Sequence, residues 1–527
     1  MTRLITTIET EARLDGAPRP IRLASEAGFV TGPEQAPRRA AFEARIRSAG
    51  NYERHAFASR TTQGSGQVGT GVVELDNNDR AYDWLAEASI DDQPIVIRRG
   101  PSLATFPGAP WITYFSGLVA GMEFGWRTVK LHTRTRQAAV FDRALMEDTY
   151  RGDNVVPSGW EGTPADLGGK PLALLLGGAS HYEPPRVNAP RLIFHVSAPP
   201  LPHADGTVPG IGFTVFHKGV LVPAGVHRGS DPAALDANIP APTTYDWVTG
   251  GPRGTFFRLG FDPDGPITVT AQESVTAMTT VGQLCRRAFL SKGVLPGDIV
   301  GAEAIDAVAP DPAGLFLGPE PRPVADVVAE LLEGVGGFCV DSRNGPIRLG
   351  VLTAPSAPVA LTIEEWHIKG GADAVEIVAS EEPGINRPIW EQLLDYDRVY
   401  QVQNEVAPAA AALAAYLAQE FRTYPRRDEG IRTAWPRAGS LRIRSCLRTL
   451  AGAARSADRL WLLRSVRRRL LVVPLDPAFA AAVDLMETVR LNLNRFGWNG
   501  RLFRVLGQVE VIAAKDAPDV TQLVLWG

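Results

Sequence analysis

Several groups of residues have types and spacings that could do chemistry, and each is weighed first. Gly64-Ser-Gly-Gln-Val-Gly69 satisfies G-x-G-x-x-G, the pattern that brings a backbone against a dinucleotide pyrophosphate. That mechanism needs the glycines after a strand and at the start of a helix, whose N-terminus meets the phosphate. Here they precede a strand-like run, which predicts a mobile glycine loop and no nucleotide. Gly168-Gly169-Lys170 lacks a P-loop's earlier glycine, since Pro164 stands there, and Pro171 replaces the magnesium-binding hydroxyl. Five of the eight histidines (His181, His195, His203, His217 and His227) fall in or beside one β-like region. Only His181-Tyr-Glu183 and His203-Ala-Asp205 put a histidine and a carboxylate on one strand face, and two ligands do not close a metal site. Glu364-Glu365 and Glu381-Glu382 are adjacent, so their carboxylates point apart and make poor acid/base pairs. No G-x-S-x-G elbow is present, and no Ser or Cys carries a nucleophile signature. The sequence therefore assigns no catalytic, cofactor-binding or metal-ligating residue and implies no cofactor.

Two sets remain. Residues 420–470 carry fourteen arginines, from Arg422 to Arg469, against Glu420, Asp428, Glu429 and Asp458. Such a segment meets phosphate or an acidic neighbour, or simply solvates a surface. Cys285, Cys339 and Cys446 lie far apart, in no CxxC pair. They read as free thiols, with Cys339 a buried small hydrophobe.

The elements that position these residues are mostly strands. Gly71–Leu75, Pro94–Arg99, Trp111–Phe115 and Trp126–Thr135 are separated by turn clusters at Asp76–Asp79 and Pro107–Pro110. In the last of them Val129, Leu131 and Thr133 share one face and Lys130, His132 and Arg134 the other, a half-buried antiparallel strand. This predicts a small β-barrel or sandwich of about 140 residues, preceded by an irregular stretch with a short helix at Arg38–Arg47. A second β region runs from Arg191–Val196 to Pro266–Thr270, following Leu172–Leu176. Helices are expected at Thr280–Leu290, at Val324–Glu333 (Pro323 before it, Gly334 after), at Ala451–Leu463, and, as the longest, at Pro408–Thr423. Phe338–Asp341 and Ile347–Leu352 flank Asn344-Gly345 as a hairpin. The final forty residues alternate through Val489–Asn494, Phe503–Val511 and Val520–Trp526 and so close the chain inside a sheet.

At 527 residues the chain exceeds a single core. The division predicted is 1–165, 166–275, 276–400 and 401–527, with parts returning to complete earlier domains, in an α+β and predominantly β fold. Gly and Pro together make about 18% of the chain against about 12% in average usage, which suits many turns between short strands. A net charge of −4 excludes overall steering toward nucleic acid. No apolar run reaches the roughly 18 residues of a membrane span, and the N-terminus lacks a signal-peptide run, so synthesis in a reducing cytoplasm is expected.

A set of passages, in order, resembles the tail hub or baseplate hub proteins of long-tailed bacteriophages and prophages. These are Gly69–Asp79, Pro94–Pro101, Tyr114–Gly117, Gly169–Leu174, Phe257–Leu259 with Ile267–Thr270, Arg495–Gly507 and Leu523–Gly527. Where the family has a Gly-Asp turn before the strand at 489, this chain has Val483-Asp-Leu485. The resemblance implies a non-enzymatic homotrimer at the distal end of a virion tail. Two tube-like β domains per subunit would match a six-fold ring of distal tail or tail tube proteins above and a three-fold central spike or fibre below. The tape measure protein would be a further partner, and DNA would pass without sequence recognition. A receptor- or carbohydrate-binding tail appendage, using aromatics such as Trp160 and Trp247, is the alternative, and a cell-wall hydrolase fused to a tail module a third reading.

Overall fold

The computed structural model describes residues 4–69, 71–136, 138–154, 159–198, 211–273, 279–341, 345–511 and 519–527. The fold is α+β and predominantly β, as the alternation requires. It opens not on an irregular stretch but on a hairpin, Ile5–Leu14 with Ala17–Ala24. Asp15 and Gly16 form its turn at φ 51° and 78°, the two positive values a type I′ turn needs. Seven strands then form one antiparallel sheet in the order 17–24, 5–14, 94–100, 112–124, 128–135, 72–76 and 46–48. Its two edges approach each other: Ala24 N donates to Glu43 O (2.8 Å) and Glu43 N to Arg22 O (2.9 Å), just before the 46–48 edge strand. The enclosed core holds Ile8, Leu23, Leu75, Ile97, Val119 and Leu131. Val129, Leu131 and Thr133 are buried together, as their spacing predicts.

The helix expected at 38–47 does not form. Phe42 instead extends into an edge-to-face cluster with Phe29 (5.1 Å) and Phe106 (5.7 Å), where burial of three aromatic rings outweighs a weak helical period.

The second β region is two sheets around one core. One has four strands (178–182, 267–273, 211–217, 220–222), the other five (186–188, 193–197, 254–259, 245–251, 224–227). Tyr182, Phe194, Val215, Phe257 and Val269 fill the space between them. Helices at Val281–Leu290 and Val324–Glu333 follow, the second burying Val324, Val327, Val328, Leu331 and Leu332. Gly337–Asp341 and Ile347–Val351 pair antiparallel; of their turn, Asn344 lies outside the described residues.

The alanine-rich stretch is the second correction. It makes only a 3₁₀ segment at Pro408–Leu413 and one α turn at Ala414–Leu417. Arg422–Arg427 is a strand beside Ile389–Tyr396. Propensity alone does not hold a helix that buries little more than Ala410 and Leu417. The longest described helix is Leu450–Arg464.

The terminal strands join a sheet ordered 361–364, 488–492, 501–511, 520–526, 470–475 and 376–377. Tyr52–His55 also pairs with the 501–511 strand, so early residues complete the last sheet. Gly507 makes this possible: a Cβ there would sit 2.3 Å from His55 Nδ1. Trp526 is buried, and Gly527 exchanges backbone hydrogen bonds with Arg469.

Candidate functional site

The residues singled out by type are engaged locally rather than gathered into a reaction centre. The Gly64–Gly69 passage leads into a strand at Gln67–Gly69, with no helix after it. It is packed down, not free. A Cβ on Gly66 would lie 2.1 Å from Cys339 O, and Thr62 donates through Oγ1 to Glu382 at 2.6 Å. Gln63 Nε2 adds a bond of 3.1 Å to the same carboxylate. Glu381 turns the other way, toward Arg387, as adjacency demands. Glu364 likewise accepts from Asn492 Nδ2 (2.7 Å) while Glu365 faces solvent.

The histidines are dispersed. His195 is buried, with Tyr150 OH 2.6 Å from Nδ1 and Arg253 O 3.2 Å from Nε2. A carbonyl only accepts, so Nε2 carries the proton and Nδ1 takes the tyrosine's. Burial holds this imidazole down to about 3. His181, at φ 49°, lies 3.3 Å from Thr268 Oγ1 and is likewise held down to about 4 by burial. His217 pairs with Asp264 (3.0 Å) and His227 stacks on Trp247. His203 and Asp205 lie outside the described residues. Among the described residues no three His, Cys, Asp or Glu side chains converge as a metal set. The three cysteines are free; Cys339 is half-buried rather than fully so, and burial pushes the Cys446 thiol up.

Most of the arginine-rich segment is engaged internally. Arg426 meets Asp458 (2.5 Å), Arg427 meets Glu391 (2.6 Å), Arg442 meets Asp395 (2.7 Å) and Arg455 meets Asp311 (3.0 Å). Arg422 lies over Tyr416 and Arg432 over Trp390. Trp160 and Trp247, which a glycan-binding surface would present, are half-buried. Among the described residues the most exposed aromatic is Trp126 (98%), at the tip of the 112–124/128–135 hairpin with Phe124 (43%) beside it, ahead of Trp366 (78%).

Among the described residues lies a cavity of about 870 Å³. The glycine loop, the Gly337–Asp341 strand, the Val324–Glu333 helix and residues 443–448 wall it. Phe57, Val68, Phe141, Val328, Leu332 and Phe338 make it largely apolar. Its charges are unequal. Arg398 has Glu420 (2.9 Å) and Glu330 (3.7 Å). Burial pushes the Asp341 carboxyl up to about 6 and also raises that of Glu333. Arg464 is 3% exposed, and its one hydrogen bond, from Nη2 to Thr62 O, is long at 3.5 Å. Its Nε and Nη1 have no acceptor. Reading the segment as a solvated or partner-facing arginine run misses this residue. The signal was its helical spacing: Ala453, Ala457, Leu460 and Arg464 fall on one buried face.

No protein-family model matches the chain, and no curated protein does. Among solved structures it is similar to a tail protein from Neisseria meningitidis MC58, at 9% identity and a TM-score of 0.40, covering 98% of this chain and 96% of that one. It is similar to the 43 kDa tail protein of prophage MuSo2 from Shewanella oneidensis, at 10% identity and a TM-score of 0.40, covering 98% and 97%. A prophage tail protein from Listeria monocytogenes EGD-e follows at 7% identity and a TM-score of 0.37, covering 99% and 94%.

Proposed function

We propose that the chain is a structural, non-enzymatic component of a phage-type tail, a trimeric hub at the distal end that joins the tail tube to a central spike or fibre. The observation that carries this reading is that one chain holds two separately cored, mostly antiparallel β modules, within 4–135 and 174–273. Three copies then offer six modules to a six-fold ring while keeping three-fold symmetry for a tip, and heterologous contacts of this kind close into a ring. The resembling passages support it. Gly69–Asp79, Pro94–Pro101 and Tyr114–Gly117 contribute strands and turns of the first module's sheet, and Phe257–Leu259 and Ile267–Thr270 strands of the second (Thr70 lies outside the described residues). We take 1–165 and 166–275 as the tube-facing units, and 276–400 with 401–527 as the body that holds them. The bore of the trimer forms part of the DNA exit channel, and the tape measure protein is a further neighbour.

The test has two parts. The purified chain should run as a species of about 170 kDa, three times its 56.7 kDa, as a closed cyclic trimer requires. Antibody-bound gold on virus-like particles should then mark the distal tail end once per particle. Label along side fibres would replace the hub with a receptor-binding appendage, and a monomer that labels no particle would overturn the tail reading altogether.

A further inference from the structure

One end of the terminal sheet gathers arginines that the chain's own carboxylates do not compensate. Register brings five strand ends together there. Glu364 stands beside Asn492, Leu491 opposite Arg501, and Trp526 between Arg504 and Leu470. Arg467, Arg468, Arg469, Arg495 and Arg501 therefore emerge at the same end, and none of the five makes an ion pair among the described residues. The nearby carboxylates are engaged: Glu364 takes Asn492 Nδ2 (2.7 Å) and Glu381 meets Arg387 (3.5 Å). Glu365 and the Gly527 carboxyl are left against five guanidinium groups. Burial, and then the like charge of Arg501, lower the pKa of Arg468. Four of the five lie over rings, Arg467 on Trp435, Arg468 on Trp526, Arg495 on Phe496 and Arg501 on Phe503. A guanidinium resting on a ring is held in place while its N–H edges stay free for an oxyanion. Two aromatics stand out at the same end, Trp366 (78% exposed) just past the 361–364 strand and Phe496 (61%) in the turn after 488–492.

We propose that this end of the sheet binds single-stranded nucleic acid, with the five arginines receiving its phosphates and Trp366 and Phe496 stacking its bases. The charge spans four strand spacings of about 4.8 Å, or about 19 Å in all. A single phosphate would meet only part of that row, whereas a strand rising about 3.4 Å per nucleotide covers it with five or six. Arginines that follow a backbone, with exposed rings beside them, are the combination that holds an unpaired strand without reading its sequence. A duplex hides its base faces from those rings, and an acidic peptide has no flat faces to offer them. The inference rests on these side chains and not on a place in a tail.

Fluorescence anisotropy of a labelled twelve-nucleotide oligothymidylate, titrated with the full chain over a salt series, tests it. Binding should saturate, and should weaken with salt by about 0.7 in the log–log slope for each phosphate neutralised. A duplex of the same length should bind more weakly. The exposed pair Arg467→Gln and Arg495→Gln, combined, should flatten that slope by about 1.4. Trp366→Ser should weaken binding at least about fivefold and leave the slope as it is. All three substitutions fall on exposed side chains, so circular dichroism and melting should match the parent. Absence of saturable binding overturns the proposal. So does a twelve-residue polyglutamate that binds as tightly, which would make the surface a protein-docking face. A duplex bound equally well, with Trp366→Ser unaffected, overturns it too, leaving a phosphate patch without base stacking.

Discussion

Arg287 and Glu273 are 1% and 3% exposed and meet through two parallel hydrogen bonds, locking the Val281–Leu290 helix to the last strand of the second β region. Gly177 N also donates to Glu273 Oε2 at 2.9 Å, so one carboxylate organises three segments. Two unit charges roughly 4 Å apart at an effective dielectric near 20 attract by about 4 kcal/mol. Their desolvation offsets much of that, so the intact pair adds little net stability. Removing one partner is different, because it strands the other charge away from water. Glu273→Leu should therefore cost about 3–5 kcal/mol, while Glu273→Leu combined with Arg287→Met should recover most of the loss. The assay is urea unfolding followed by hydrogen exchange of the 281–290 amides, which reports this local unit rather than the chain average. A loss below about 1 kcal/mol in the single variant, or a double variant at the sum of the two singles, would falsify the coupling.

His195 predicts a pH dependence with a definite sign. Unfolded, its imidazole takes a proton near 6.5; folded and buried, only near 3. The contribution is whole above about 6.5, and as pH falls toward 3 the unfolded chain alone gains the proton, removing about 1.4 kcal/mol per pH unit. Asp341, raised to about 6, acts oppositely between its unfolded value and 6, so Asp341→Asn should steepen the acid loss seen in urea melts. In the folded chain the His195 ring resonances should stay still from pH 8 down to about 5; movement above that would mean the ring is not sealed. Trp126, almost wholly exposed at its hairpin tip, packs on little. Trp126→Ser should leave the unfolding free energy within about 0.5 kcal/mol of the parent and lower incorporation into tails, measured by immunoblot of purified particles. Incorporation unchanged from the parent would remove this tip from the assembly surface.

Much of the architecture follows from local pattern. The strands at 94–100, 128–135, 254–259 and 501–511 and the helix at 324–333 were legible because periods of two and 3.6 residues report which side chains share a face, whatever lies opposite. The opening hairpin carries an equally local signal in Asp15-Gly16, the pair a type I′ turn favours. The alanine run at 408–423 misled because propensity counts single residues, whereas a helix in a protein is held by what its face buries. What tertiary structure alone decided is which faces meet. Tyr52–His55 completes a sheet with residues 507–510, and no local period carries a pairing between chain segments so far apart. The same holds for Arg464. Its helical position was readable, but whether a guanidinium on that face meets water or is buried depends on Thr62 and Gly384, distant in sequence, closing against it. Periodicity is a property of a segment and is written in the sequence; burial is a relation between segments, and only the assembled fold supplies it.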